Sequence, residues 1–344
     1  MARRLYDVGV IQQRAREWFR VSSALYVVGG LAVFLGVLWT LGIEATWTEV
    51  RKVGWFFPAI VALGGLRFLV RAAAWVICLE PPHRLRLRDA FAAVLAGDAL
   101  GNLTPLGPLV GEPAKATFAR RYVAGQPALT ALAVENILYT LATAAMIAAG
   151  MIALLFTFDL PAQIREFSEI AIAGLGLLIA ISLLVLWRRP AILSRWIPLA
   201  PGAPSDSRVS RLRTLEHDIY SFASRRPGAL IPAILLEVGF HALGVLETHL
   251  TLSSLGTSPS LMTSFIFETA SRLLIVAFKV VPFQLGVAEV GMVAFAPLVG
   301  MDKTIGFAFS LIRKARVVVW ALIGGALLVR SGVTPPTPQS SVES

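Results

Sequence analysis

Gly101-Asn102-Leu103-Thr104-Pro105-Leu106-Gly107-Pro108-Leu109-Val110-Gly111-Glu112-Pro113-Ala114-Lys115 interrupts an otherwise apolar stretch, residues 90–124, near its middle. Proline lacks the N–H that a helix interior uses and its ring collides with the preceding turn, so a helix breaks here. A second apolar stretch, residues 265–299, is broken in the same way by Val281-Pro282-Phe283-Gln284-Leu285-Gly286. A bilayer offers no water to loose backbone groups, so non-helical backbone at that depth is tolerated only inside protein or along a cavity. Each stretch is expected to fold as a re-entrant hairpin whose break faces the interior.

The surrounding chain makes the bilayer the solvent. Of its 344 residues 56% are hydrophobic and 15% charged, with a mean hydropathy of +0.72, more apolar surface than a water-soluble domain can cover. Six further runs, residues 22–41, 55–79, 128–158, 170–187, 229–252 and 304–329, reach or approach the roughly 20 apolar residues that a hydrocarbon core requires. The first follows an Arg-rich segment but is too long for a signal-peptide core and lacks a small-residue cleavage site, so it reads as a retained anchor. The expectation is an all-α polytopic membrane protein of six full spans plus two re-entrant broken hairpins. It forms a single transmembrane domain over residues 1–330, with a first half 1–187, a cytoplasmic connector 188–226 and a second half 227–330. The Pro- and Ser-rich tail, 331–344, reads as disordered.

The net charge of +10 follows topology, not nucleic acid: the basic residues sit between apolar runs without interleaved stacking aromatics. Placing the N-terminus in the cytoplasm puts twenty Lys and Arg inside and four outside, the bias expected of a cytoplasmic face. The C-terminus is then also expected in the cytoplasm, and the protein in the cell membrane. The first hairpin dips from the inside and the second from the outside. A polar stretch of the connector, 208–222, reads as an amphipathic helix on the membrane surface. The lone Cys78 gives neither a disulfide framework nor a thiolate metal site. No metal or other cofactor is expected.

The halves repeat one order of elements, span, hairpin, span, inserted in opposite senses. Aligning the breaks sets Pro105 on Pro282, Glu112 on Glu289 seven residues later, and Asn102 on Lys279 three residues earlier. An inverted repeat of this kind holds substrate near the midplane, with half-helix N-termini turned toward anionic groups. Gly107 and Gly286 belong to the two unwound turns.

These segments, together with Arg313, resemble the transmembrane region of lysylphosphatidylglycerol synthases and the stand-alone flippase-like proteins similar to it. The first half is similar to that family's N-x-x-P…G-G-E-P-x-K/R pattern, closing on Lys115, and the second to its P-x-x-x-G-x-x-E pattern. Leu109-Val110-Gly111 stands where a double glycine is common. The chain has no polar stretch long enough for a soluble aminoacyl-transferase domain. The resemblance implies lipid translocation without lipid synthesis.

Ionisable residues inside spans are costly and so are candidate functional groups. Arg67 and Arg71, one turn apart, share a helix face and turn inward to a lipid phosphate or a structural carboxylate. Glu237 and His241 repeat that spacing and either relay protons or fix helix packing. Lys279 either meets a phosphate or neutralises Glu112 or Glu289. Glu135 and Asn136 are candidates to pair with Arg313, Lys314 and Arg316 across the repeat axis.

The leading reading is a flippase or transporter, not an enzyme, for a membrane lipid with a charged or polar headgroup. The alternatives are an intramembrane lipid-modifying transferase and a non-transporting partner of a separate lipid-synthesis enzyme. Neither a His-Glu-x-x-His zinc site nor a Gly-x-Ser-x-Gly elbow is present. No oligomer is specified by the pattern.

Overall fold

A computed structural model of the chain describes residues 29, 31–104, 107–188, 205–279 and 281–331. The Arg-rich start, Pro105 with Leu106, the Pro-rich part of the connector and the tail beyond Ser331 lie outside the described residues. Among those described, every regular element is helical. The helices are α1 (Leu31–Leu41), α2 (Ile43–Lys52), α3 (Phe56–Cys78), α4 (Leu87–Leu103), α5 (Gly107–Ala119), α6 (Gly125–Thr157), α7 (Ala162–Arg188), α8 (Ser205–Arg225), α9 (Pro227–Ser254), α10 (Leu261–Ala277), α11 (Val287–Phe295) and α12 (Lys303–Ser331).

Four of these, α3, α6, α7 and α9, are long and apolar enough to cross a membrane, and the pair α1 and α2, bent by 91°, makes a fifth if counted as one span. The six-run count departs from this at both ends of the chain. Much of the first run precedes Leu31, outside the described residues. The sixth forms the 29-residue α12, but Arg313, Lys314 and Arg316 stand in its interior, so it is long without being uniformly apolar. α7 leaves its apolar window unburied, as a helix facing lipid does.

Two apolar cores lie at opposite ends of the bundle. One joins the end of α3 (Trp75, Cys78), the start of α4 (Ala90, Ala93), the end of α5 (Phe118, Ala119) and the starts of α6 (Ala128) and α9 (Ala229). The other joins the start of α3 (Ile60), the ends of α6 (Leu154) and α9 (Leu252), the start of α10 (Phe267), the turn after α11 (Val299) and the start of α12 (Phe309). Both outer ends of the α4–α5 pair are thus tied to one core, and both outer ends of α10–α11 to the other. α3 packs most extensively on α9, α4 on α5 and α12, and α6 on α7 and α10.

Local chemistry explains the breaks. α4 and α5 approach so closely that a Cβ on Gly107 would stand 2.2 Å from the Gly101 carbonyl oxygen, so glycine is required there. The second break is a short 3-10 turn, Pro282–Gln284, in which Phe283 and Gln284 take φ of 51° and 48°, a conformation that non-glycine residues seldom hold without support. Gly286, at φ 80°, then starts α11. α12 starts beside Asp302, whose carboxylate accepts from the Thr304 N–H at 2.8 Å and its hydroxyl at 2.7 Å. Those bonds hold the Asp302 carboxyl below the usual carboxylate range.

The connector helix is longer than the 208–222 expected. Its C-terminal end packs on the bundle: Phe222 is buried in the first core, Arg225 pairs with Glu80 at 2.9 Å, and Arg226 donates to the Leu79 carbonyl at 2.6 Å. The connector therefore pins the end of α3 to the start of α9.

Candidate functional site

A cavity of about 240 Å³ lies where the two breaks face each other, lined from α4 by Asp98, Gly101 and Asn102, from α5 by Gly107, Glu112 and Lys115, and from the second break by Lys279, Phe283 and Gln284. α3 adds Arg67 and Arg71, α6 Asn136 and Tyr139, α9 Phe240, α10 Arg272, and α12 Arg313, Lys314 and Arg316.

On the first-half wall each charge has a partner. Arg71 grips Glu135 with two N–H donors, at 2.8 and 3.0 Å, and lies 4.2 Å over the Tyr139 ring. Glu112 accepts from Lys115 at 2.6 Å and from the Asn136 amide at 2.8 Å. Asn102 donates to Asp98 at 2.8 Å. These are charge-assisted bonds between largely buried groups, where an unpaired member costs far more than a pair gains.

The second-half wall is built differently. Glu268, fully buried, accepts from Arg272 at 2.8 Å, from two nitrogens of Arg313 and from the Thr248 hydroxyl at 2.9 Å. Arg67 stands 3.7 Å away from it. Glu247 accepts from Arg67 at 3.0 Å and from Arg316 at 3.1 Å. Arg67 and Arg272 share the Phe240 ring, at 4.4 and 5.5 Å from its centre. Lys314 pairs with the buried Glu289.

Of the residues singled out by sequence, Arg67, Arg71, Asn102, Gly107, Glu112, Lys115, Lys279 and Arg313 line this one cavity. Glu289 sits behind the wall on Lys314, Pro282 and Gly286 belong to the adjoining turn, and Pro105 is outside the described residues. Two pairings come out otherwise than expected. Glu135 and Asn136 do not meet the cations of α12: Glu135 is taken by Arg71, while Arg313, Lys314 and Arg316 have Glu268, Glu289 and Glu247. Lys279 neutralises neither Glu112 nor Glu289, because Lys115 and Lys314 already do, and its side chain is exposed. Glu237 and His241 are buried but do not line the cavity; neither Glu237 oxygen has a hydrogen-bond partner, and His241 meets the Thr143 hydroxyl through Nε2 at 3.3 Å.

Sequence reasoning passed over Glu268, Arg272, Tyr139 and Phe240. The usable signal was Glu268 and Arg272 four apart within an apolar run, the same face-sharing spacing as Arg67 and Arg71.

Beside the polar cavity runs an apolar groove of about 750 Å³ between α6, α9 and α10, lined by Ala142, Ala145, Ala149, Ala242, Val245 and Phe265 among others. His241 stands in its wall and stacks on Tyr139 of the polar cavity, ring centres 6.0 Å apart.

Fold and cavity define a multi-pass helical membrane protein with a charged chamber inside its bundle. The chain belongs to the family described as Lysylphosphatidylglycerol synthase TM region, which matches it over residues 27–325. That family is a membrane domain linked to lipid synthesis and flipping. Comparison with curated proteins and with solved structures finds no match.

Proposed function

We propose that the protein is a lipid transporter that moves a lipid with a charged or polar headgroup across the cell membrane without changing it covalently. The observation that carries this reading is the adjacency of a charged cavity and an apolar groove, separated by the Tyr139–His241 stack: one molecule fits both only if it is an amphiphile. In this reading α4–α5 and α10–α11 are re-entrant hairpins entering from opposite sides, cytoplasmic and external respectively, with both chain termini cytoplasmic. The contact pattern supports an inverted repeat, since exchanging the halves turns the α4–α12 contact into the α10–α6 contact and maps the α3–α9 contact onto itself. Asn102, Glu112, Lys115, Lys279, Arg67, Arg71 and Arg313 are the proposed headgroup residues, and Glu237 with His241 the proton-coupling pair. A lipid-synthesis enzyme is the proposed source of the substrate.

Reconstitution into liposomes with a headgroup-labelled phospholipid tests this. The expected result is protein-dependent transbilayer movement with the label chemically intact, accelerated by an imposed pH gradient in wild type but not in Glu237→Gln. A covalently altered product would assign an enzyme, and neither movement nor product would leave a non-transporting partner.

A further inference from the structure

Around most of the cavity, cation and carboxylate are matched one to one: Arg71 with Glu135, Lys115 with Glu112, Lys314 with Glu289. The second-half wall breaks that rule. Arg67, Arg272, Arg313 and Arg316 are 3%, 5%, 9% and 8% exposed, and the carboxylates paired with them are only Glu247 and Glu268. The remaining charges on the cavity wall, the carboxylate of Asp98 and the exposed ammonium of Lys279, are one of each sign. Two positive charges are therefore left without a counter-ion among the described residues. In addition, the Nε–H of each of the four guanidiniums has no hydrogen-bond partner.

Buried charges persist in proteins when paired, and unpaired ones are strongly destabilising. Four planar guanidiniums crowded on two carboxylates, with Arg67 and Arg272 set against the Phe240 face, are poised for a polyanionic oxygen group, because the guanidinium fork matches phosphate geometry. A cationic headgroup would find on the cavity wall only Asp98, bonded to Asn102, and Glu112, already bonded to Lys115 and Asn136. We infer that the cavity is a phosphate site on its Arg67, Arg272, Arg313 and Arg316 wall, and that its ligand is a lipid with an anionic phosphate headgroup rather than a cationic aminoacyl one. The lipid part of this inference rests on the transport reading; the phosphate part does not.

The test is equilibrium binding to the purified full chain in uncharged detergent, which needs no transport. The probes are dihexanoyl phosphatidic acid, dihexanoylglycerol, short-chain lysyl-phosphatidylglycerol and inorganic phosphate. Phosphatidic acid is expected to bind at least about tenfold more tightly than dihexanoylglycerol or the lysyl lipid, and Arg272→Gln and Arg316→Gln each to weaken it about tenfold. Arg272→Gln is expected to keep or raise the unfolding temperature, since it removes surplus buried charge; a merely structural arginine would lower it. Equal binding of dihexanoylglycerol or wild-type affinity in both arginine variants would overturn the phosphate site, and tighter binding of the lysyl lipid, which keeps its phosphodiester, would overturn the choice of an anionic over a cationic headgroup. Arginine-dependent binding of inorganic phosphate as tight as that of phosphatidic acid would keep the anion site and overturn the lipid assignment. Binding as expected without transbilayer movement in liposomes would overturn transport alone.

Discussion

Arg71 and Glu135 show how a single residue pair sets the first-half wall. Both are buried or nearly so, the fork is bidentate, and Tyr139 lies against the guanidinium. Removing only the cation strands a buried carboxylate. Arg71→Leu is therefore expected to cost about 3–5 kcal/mol of folding stability, and Arg71→Leu with Glu135→Leu to recover most of it. Detergent-induced unfolding measures both, and a double variant no more stable than the single one would show that Glu135 has another partner. At this scale the sequence was informative where charge interrupts an apolar run at helical spacing, as at Arg67 and Arg71. It was silent on who pairs with whom, because ion pairs across α3–α6, α3–α9 and α9–α12 depend on packing that no local pattern encodes. Glu268 is the clearest case: its partners Arg67 and Arg313 come from α3 and α12, far away in the chain.

The helix pairs α4–α5 and α10–α11 carry the account at the next scale. Their outer ends attach to opposite cores, which re-entrant insertion from opposite faces explains. Single cysteines in a Cys78→Ala background, at exposed Arg88 and Tyr122 for the first pair and at exposed Ser258 and Asp302 for the second, probe this in sealed vesicles. The first two are expected to react with an impermeant maleimide from the cytoplasmic face only and the second two from the external face only. Reaction of one pair's two ends from opposite faces would make that pair a full crossing. The breaks themselves were readable because proline and glycine act locally. The exact helix ends were not: α7 begins eight residues before its apolar run and α8 three before its polar stretch, since polar first turns satisfied at an interface leave no hydropathy signal.

For the whole molecule, hydropathy identified the solvent and the two motif segments identified the family, now matched over residues 27–325. What neither could supply is the joint chamber, which exists only because two distant breaks meet beside α3 and α12. The central claim is that the headgroup crosses through that chamber. Val317→Cys in a Cys78→Ala chain places a unique thiol on its wall, so lipid movement in liposomes before and after alkylation with a bulky maleimide tests it most directly. The account predicts normal movement before alkylation, loss to the protein-free rate afterwards, and protection by an anionic short-chain phospholipid present during the reaction. Unchanged movement through a fully alkylated protein would contradict it.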